Sequence, residues 1–215
     1  MVLAGQWKVY AIDFEGNGRD GVLEFGAICL TGGKLQNPLE SFCRCRRGAG
    51  IFICRRKIPD VSTANAAPIG DFFERFRSMR GNGILAAHHA STEDALLRSM
   101  WPSPGLVPDW HGLGASAAAT WGPWIDSHRL AQKFWPGLDS YALGDTLAAL
   151  GLGGKWRELG RLLCSPERKK MHCALYDAIG CALLVDKCLA ESGASPIDLL
   201  RAAHGTPQLR LSEMP

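Results

Sequence analysis

The sequence predicts an α/β fold, and three observations carry that reading. Two runs rich in apolar and β-branched residues, 7–13 (WKVYAID) and 22–30 (VLEFGAICL), flank the turn-forming cluster GNGRDG, which is a hairpin signal. Two further short apolar runs, GILAAHH (83–89) and PWIDS (123–127), have the length of strands rather than helices. Segments with helical spacing stand before, between and after them.

A third strand is expected at 39–46 (LESFCRCR), with Cys43 and Cys45 pointing one way and Arg44 and Arg46 the other. Residues 47–67 read as an irregular connection. DFFERFRSM (71–79) puts Phe72, Phe73, Phe76 and Met79 on one helical stripe, and GILAAHH then suits a buried strand. From Ser91, STEDALLRSM reads as a helix with its cap. The stretch 101–123, rich in Trp, Pro and Gly, is a loop of the length expected to be functional or disordered. Beyond PWIDS come two helical patterns, HRLAQKFW and SYALGDTLAALGL, the second starting at a Ser140 cap. A long helix is expected from about 172 to 190 and a short one near 196–203, leaving GTPQLRLSEMP as a loose tail. Residues 1–204 thus form one expected domain and 205–215 a flexible end.

Composition narrows the class of protein. A hydrophobic content of 47% and a charged content of 21% are ordinary for a soluble globular chain, and no segment has the continuous apolar length of a membrane span. The opening MVLAGQWKVYAID lacks the basic and apolar regions of a secretory signal, so a cytoplasmic location is expected. The 8 cysteines are irregularly spread over a chain much larger than disulfide-stapled scaffolds and are read as reduced. The Cys43-x-Cys45 pair has no second Cys/His pair at zinc spacing. A net charge of +3 is small, so affinity for a polyanion has to come from local clusters.

The informative residues are acids that interrupt apolar stripes, because burying an unpaired carboxylate is costly and signals a partner. In VYAIDFEG, Asp13 and Glu15 project from one face near the end of the first strand, and two adjacent anions repel unless a cation lies between them. Glu93 shares a helical stripe with Leu96, Leu97 and Met100, whereas Asp94 lines up with Arg98 as a surface pair. Asp177 is flanked at helical spacing by Cys173, Ala174, Gly180, Cys181 and Leu184. His172, five residues earlier, is off that face and is expected in the preceding turn. Each residue also has an ordinary reading: a solvated turn for Asp-x-Glu, a helix-start charge for Glu93, a loop hydrogen bond for Asp177, a surface histidine for His172.

In their order and context, AIDFEG, LAAHHASTEDALL and KKMHCALYDA resemble the three motifs of the DEDDh family of 3′-to-5′ exonucleases, whose relatives include the proofreading subunit of bacterial replicative DNA polymerase and ribonuclease T. IDSHRLAQKFWPGLDSYALGDTLAALGL resembles that family's connecting region, and the likeness covers residues 7 to about 190. It implies a ribonuclease H-like fold, a mixed five-stranded sheet with its first three strands antiparallel, flanked by helices. It implies that Asp13, Glu15, Glu93 and Asp177 hold two Mg²⁺ or Mn²⁺ ions about 4 Å apart, with His172 as general base, and that Asp126 only supports the connection. Imidazole titrates near neutrality and suits that role. Phe14, Gly16, His89 and Lys170 are the implied nucleotide contacts. Glu93 stands where the family usually has Asp, His89 where Asn is common, and Gly16 where Thr is frequent.

The implied substrate is the 3′ end of single-stranded DNA or RNA, released as nucleoside 5′-monophosphates. Homodimerisation or association with a polymerase are partner readings that the resemblance leaves open. A non-catalytic nucleic-acid-binding module and a hydrolase of short oligonucleotides are the rival functions. Six basic residues between 44 and 57, and Arg168, Lys169 and Lys170 ahead of His172, suit a phosphate backbone, although an edge strand guarded by charge explains the first cluster equally well. Trp101, Trp110, Trp121 and Trp124 suit stacking on a base or ordinary packing.

Overall fold

The computed structural model describes residues 7–17, 21–44 and 65–204. The described strands are β1 (Val9–Asn17), β2 (Gly21–Thr31), β3 (Lys34–Phe42), β4 (Ile84–Ala87), β5 (Val107–Pro108), β6 (Ala117–Ala118) and β7 (Trp124–Asp126). The described helices are α1 (Phe73–Asn82), α2 (Ala90–Met100), α3 (Ser127–Phe134), α4 (Leu143–Ala149), α5 (Gly153–Leu163), α6 (Ala174–Ser192) and α7 (Pro196–Ala203). The expected five-stranded mixed sheet is present, in the order β3-β2-β1-β4-β7. β1, β2 and β3 run antiparallel, while β1–β4 and β4–β7 are parallel pairs. β5 and β6 make a separate two-stranded ribbon inside the Trp-rich loop.

Apolar residues cover both faces of the sheet, as an α/β layer structure requires. On one face Val9, Ala11, Ile28 and Ile84 meet Leu175, Ile179 and Leu183 of α6. On the other Ile12, Phe14 and Phe25 meet Phe76 of α1 and Leu97 of α2. Since side chains alternate along a strand, Asp13 and Glu15 extend the Val9–Ala11 face, the one that α6 covers. The close seat of α6 depends on Gly26: a Cβ there would lie 2.0 Å from the Leu175 nitrogen.

Several element boundaries differ from expectation, each for a tertiary reason. β3 is Lys34–Phe42 rather than 39–46. Its central Pro38 speaks against a strand in sequence, but β3 is the sheet's edge, where a missing N–H is tolerated. Cys43 and Arg44 follow the strand; Cys45, Arg46 and the rest of the 44–57 basic cluster lie outside the described residues, as does the tail 205–215. α2 begins at Ala90, and its cap comes from across the sheet, where Asp126 Oδ2 accepts from the Ala90 N–H at 3.1 Å. α4 starts at Leu143, because the Ser140 hydroxyl accepts from Ala142 N–H in the turn before it. α6 starts at Ala174, which leaves His172 in the preceding turn as expected.

Helix α5 was not expected, since three glycines weaken its pattern. Gly160 is there for packing: a Cβ would stand 2.2 Å from the Tyr176 ring. The tryptophans are packing residues. Trp121 is fully buried and donates to the Trp101 carbonyl, and Trp110 donates to the Arg80 carbonyl. Buried Arg80 pins the loop by donating to the carbonyls of Pro108, Thr120 and Gly122. Cys29, Cys43, Cys164, Cys173, Cys181 and Cys188 are free and buried; Cys45 and Cys54 lie outside the described residues. Among the described residues no helix is long and apolar enough to cross a membrane.

Candidate metal centre

β1 carries two acids into the site by simple alternation. Asp13 lies opposite Gly26 of β2 and Glu15 opposite Glu24, and the register then slips between Glu15 and Gly16. A Cβ on Gly16 would fall 2.2 Å from the Gly21 carbonyl oxygen, so the chain requires glycine where the family often has threonine. Glu93 comes from the first turn of α2, is 5% exposed, and its Oε2 accepts from the Phe14 N–H at 3.1 Å. Its neighbour Asp94 pairs instead with Arg98 at 2.7 Å, as the periodicity predicts.

Asp177 sits in the first turn of α6, and its Oδ2 accepts from the backbone N–H of His172 at 2.7 Å. His172 takes a left-handed conformation (φ 60°), which turns the chain sharply ahead of the helix. Glu15, His172 and Asp177 each present a ligand atom, and these three atoms lie within 4.8 Å of one another.

The acids share one electrostatic field. Asp13 is held well above the usual carboxylate range, first by burial and then by repulsion from Glu93, Asp177, Glu15 and Glu24. Burial likewise pushes Glu93 up to about 8; the Phe14 N–H opposes this and Glu15 adds to it. Among the described residues no Lys or Arg ion pair reaches Asp13 or Glu93. All five predicted groups therefore converge at the end of β1. Clustered carboxylate oxygens, with Asp13 and Glu93 held above the usual range, fit a hard divalent cation such as Mg²⁺ or Mn²⁺.

The remaining predicted contacts fall at different places. The Phe14 side chain is buried, 5.4 Å from the Phe76 ring centroid, so what it offers the site is its N–H. His89 is exposed, left-handed at φ 71°, with its ring 4.1 Å from that of His128. Lys170 is exposed in the segment leading to His172. Asp126 supports the connection by accepting from Ala90, His128 and Arg129 N–H groups.

Arg168 is a correction. It is buried, not a phosphate contact, and pairs with Glu24 at 2.7 Å and Glu40 at 3.5 Å, with its guanidinium 4.2 Å over the Phe42 ring. Glu24 escaped the sequence reading although it interrupts VLEFGAICL as Glu93 interrupts its stripe. It also accepts from Ala174 N–H at 2.7 Å, tying the start of α6 to the sheet. His88 was overlooked too. Its ring lies 2.9 Å from Ser127 Oγ and 3.0 Å from the Tyr141 carbonyl, and burial lowers its pKa to about 4.

No protein-family model matches the chain. Among curated proteins it is similar to the PolC-type DNA polymerase III of Bacillus cereus, 23% identical over 173 residues. That match covers 80% of this chain and only 10% of the polymerase. Among solved structures it is similar to Exonuclease X in complex with 5′ overhanging duplex DNA, with a TM-score of 0.65, 21% identity, and coverage of 91% of this chain and 99% of that one. It is also similar to E. coli Exonuclease I in complex with a 5cy-dT13 oligonucleotide (TM-score 0.60, 14% identity, 91% of this chain, 42% of that one). Exonuclease I of Methylocaldum szegediense gives a TM-score of 0.59 at 14% identity, over 91% of this chain and 42% of that one. The fold is that of these exonucleases.

Proposed function

We propose that the protein is a metal-dependent 3′-to-5′ exonuclease that releases nucleoside 5′-monophosphates from the 3′ end of single-stranded nucleic acid. One observation carries the reading: four acids from three separate elements, Asp13, Glu15, Glu93 and Asp177, meet beside His172 at the end of β1. Their oxygens would hold two divalent ions, which when bound supply charge neutralisation and Lewis-acid activation to the reacting phosphodiester. His172 takes the proton of the attacking water at a ring nitrogen as the water oxygen bonds to phosphorus and the 3′ oxygen of the next nucleotide leaves. The hydrogen bond from His172 N–H to Asp177 fixes the base against the carboxylate cluster. The Phe14 N–H holds Glu93 in place from the opposite side.

Exonuclease X is seen with 5′ overhanging duplex DNA and Exonuclease I with a dT13 oligonucleotide, which supports DNA as the substrate. The likeness to a segment of a PolC-type DNA polymerase favours an enzyme that works beside a polymerase. The test is magnesium-dependent digestion of 3′-tailed single strands of DNA and RNA labelled at the 5′ end. Stepwise shortening is expected, with His172→Ala slower by about 10²–10⁴-fold. Undiminished digestion by His172→Ala would remove its assigned role, and no digestion by the parent protein would remove the function.

A further inference from the structure

A groove of about 470 Å³ opens beside the His172 turn, lined by Arg157, Arg161, Lys169, Lys170, Met171 and Tyr176. Its four charged residues are all cations. Other solvent-facing cations on α5 and elsewhere face a carboxylate: Lys155 faces Asp186, Lys187 Glu191, Arg201 Asp198 and Arg129 Asp126. Among the described residues none of the four groove cations forms an ion pair with a carboxylate. Arg157 and Arg161 even stand at i and i+4 on α5, a like-charge spacing that weakens a helix.

The architecture holds this arrangement firmly. Trp156 and Gly160, the buried residues of α5, press on the Tyr176 ring, with Trp156 and Tyr176 centroids 4.5 Å apart, and Trp156 donates to the Tyr176 carbonyl at 2.7 Å. Tyr176 adjoins Asp177 in sequence, and Lys170 and Met171 lead directly into His172. The groove is therefore fixed to the same helix start that supplies the last acid and the base. Buried Arg168 takes no part in it, since Glu24 and Glu40 already neutralise it.

We propose that this groove is the track for the phosphate backbone of single-stranded nucleic acid, held by Arg157, Arg161, Lys169 and Lys170 upstream of the nucleotide being cleaved. The proposal rests on the exonuclease reading for its direction, because Met171 in the groove's lining immediately precedes His172 in the chain. Unpaired cations on a rigid floor attract phosphates without reading bases, so binding is salt-sensitive and tolerant of sequence. Met171, 43% exposed, offers the apolar contact a splayed base needs.

The test is fluorescence anisotropy of a labelled dT20 strand in EDTA, where no turnover occurs, with the full chain and its Arg157→Gln/Arg161→Gln variant. The variant should raise Kd about ten-fold or more at 0.1 M salt and lower the slope of log Kd against log salt by about 1.4, two lost phosphate contacts on a single strand. Arg157→Lys/Arg161→Lys should recover most of the affinity, because a phosphate track needs charge more than fork geometry. In magnesium, the ratio of kcat/KM on the 20-mer to that on a dinucleotide should fall at least five-fold in the Gln variant. Unchanged Kd and salt slope, or an equal loss on both substrates, overturns the track. A parent protein that binds dT20 through these arginines but never shortens it overturns the exonuclease reading instead.

Discussion

Two acid clusters lie next to each other on the same sheet, and the fold treats them oppositely. Glu24 on β2 and Glu40 on β3 are neutralised from within by buried Arg168, with Ala174 N–H as a further donor to Glu24. Directly across the ladder, Glu15 faces Glu24 and Asp13 faces Gly26, yet burial and neighbouring acids hold Asp13 and Glu93 above the usual carboxylate range, and neither meets a Lys or Arg partner among the described residues. A buried carboxylate is tolerated when the chain supplies its own cation. Where the chain leaves repulsion in place at such cost, the missing charge is expected from solution. The first cluster is architecture, joining α6 to the sheet; the second is the proposed receptor for cations.

Removing one charge from each cluster should separate them most sharply. Arg168→Met strands buried Glu24 and should cost about 3–5 kcal/mol of stability, read as a lowered denaturation midpoint. Asp13→Asn should leave the fold intact while lowering exonuclease rate by roughly 10³-fold or more, about 4 kcal/mol of barrier. The opposite pattern, with a stable Arg168→Met and an unfolded Asp13→Asn, would reverse the assignment.

A smaller effect is expected from metal. Mg²⁺ or Mn²⁺ at about 100 times its Kd should stabilise the parent by about 2.7 kcal/mol, a shift in melting temperature that Asp13→Asn should largely lose. The same increment in both proteins would mean that the ions bind elsewhere.

A further effect is on pH dependence without metal. Glu93 has its pKa raised in the fold from 4.5 to about 8, so the fold binds a proton that the unfolded chain has released. Its contribution to stability is full below about 4.5 and is lost as pH rises through about 8. Thermal melts in EDTA should show stability falling across that window, and Glu93→Gln should flatten the fall while keeping an acceptor for the Phe14 N–H. A variant that melts with the parent's full pH slope would place the titration on another group.

The site's acids were legible because each broke a local pattern: Glu93 in a Leu stripe, Asp177 among small apolar residues, Asp13 and Glu15 at the end of an apolar strand. Glu24 broke a pattern in the same way and passed unnoticed, because its partner Arg168 lies 144 residues further on. Arg168 in turn looked like a phosphate contact, as any arginine beside two lysines does when burial is invisible. β3 was displaced because Pro38 argues against a strand until its edge position is known.

Periodicity and side-chain chemistry were enough to find the individual strands, most of the helices and the out-of-place acids, since a stripe or an alternation is a property of neighbouring residues, while the order of the sheet and the grouping of the acids with His172 came from the family resemblance. Which cations are spoken for was settled by packing: Arg168 consumed by Glu24 and Glu40, Arg157 and Arg161 left open on a helix whose glycines hid it. The physical reason is that charge pairing and close backbone approach depend on distances between residues remote in the chain, and no local pattern encodes those distances.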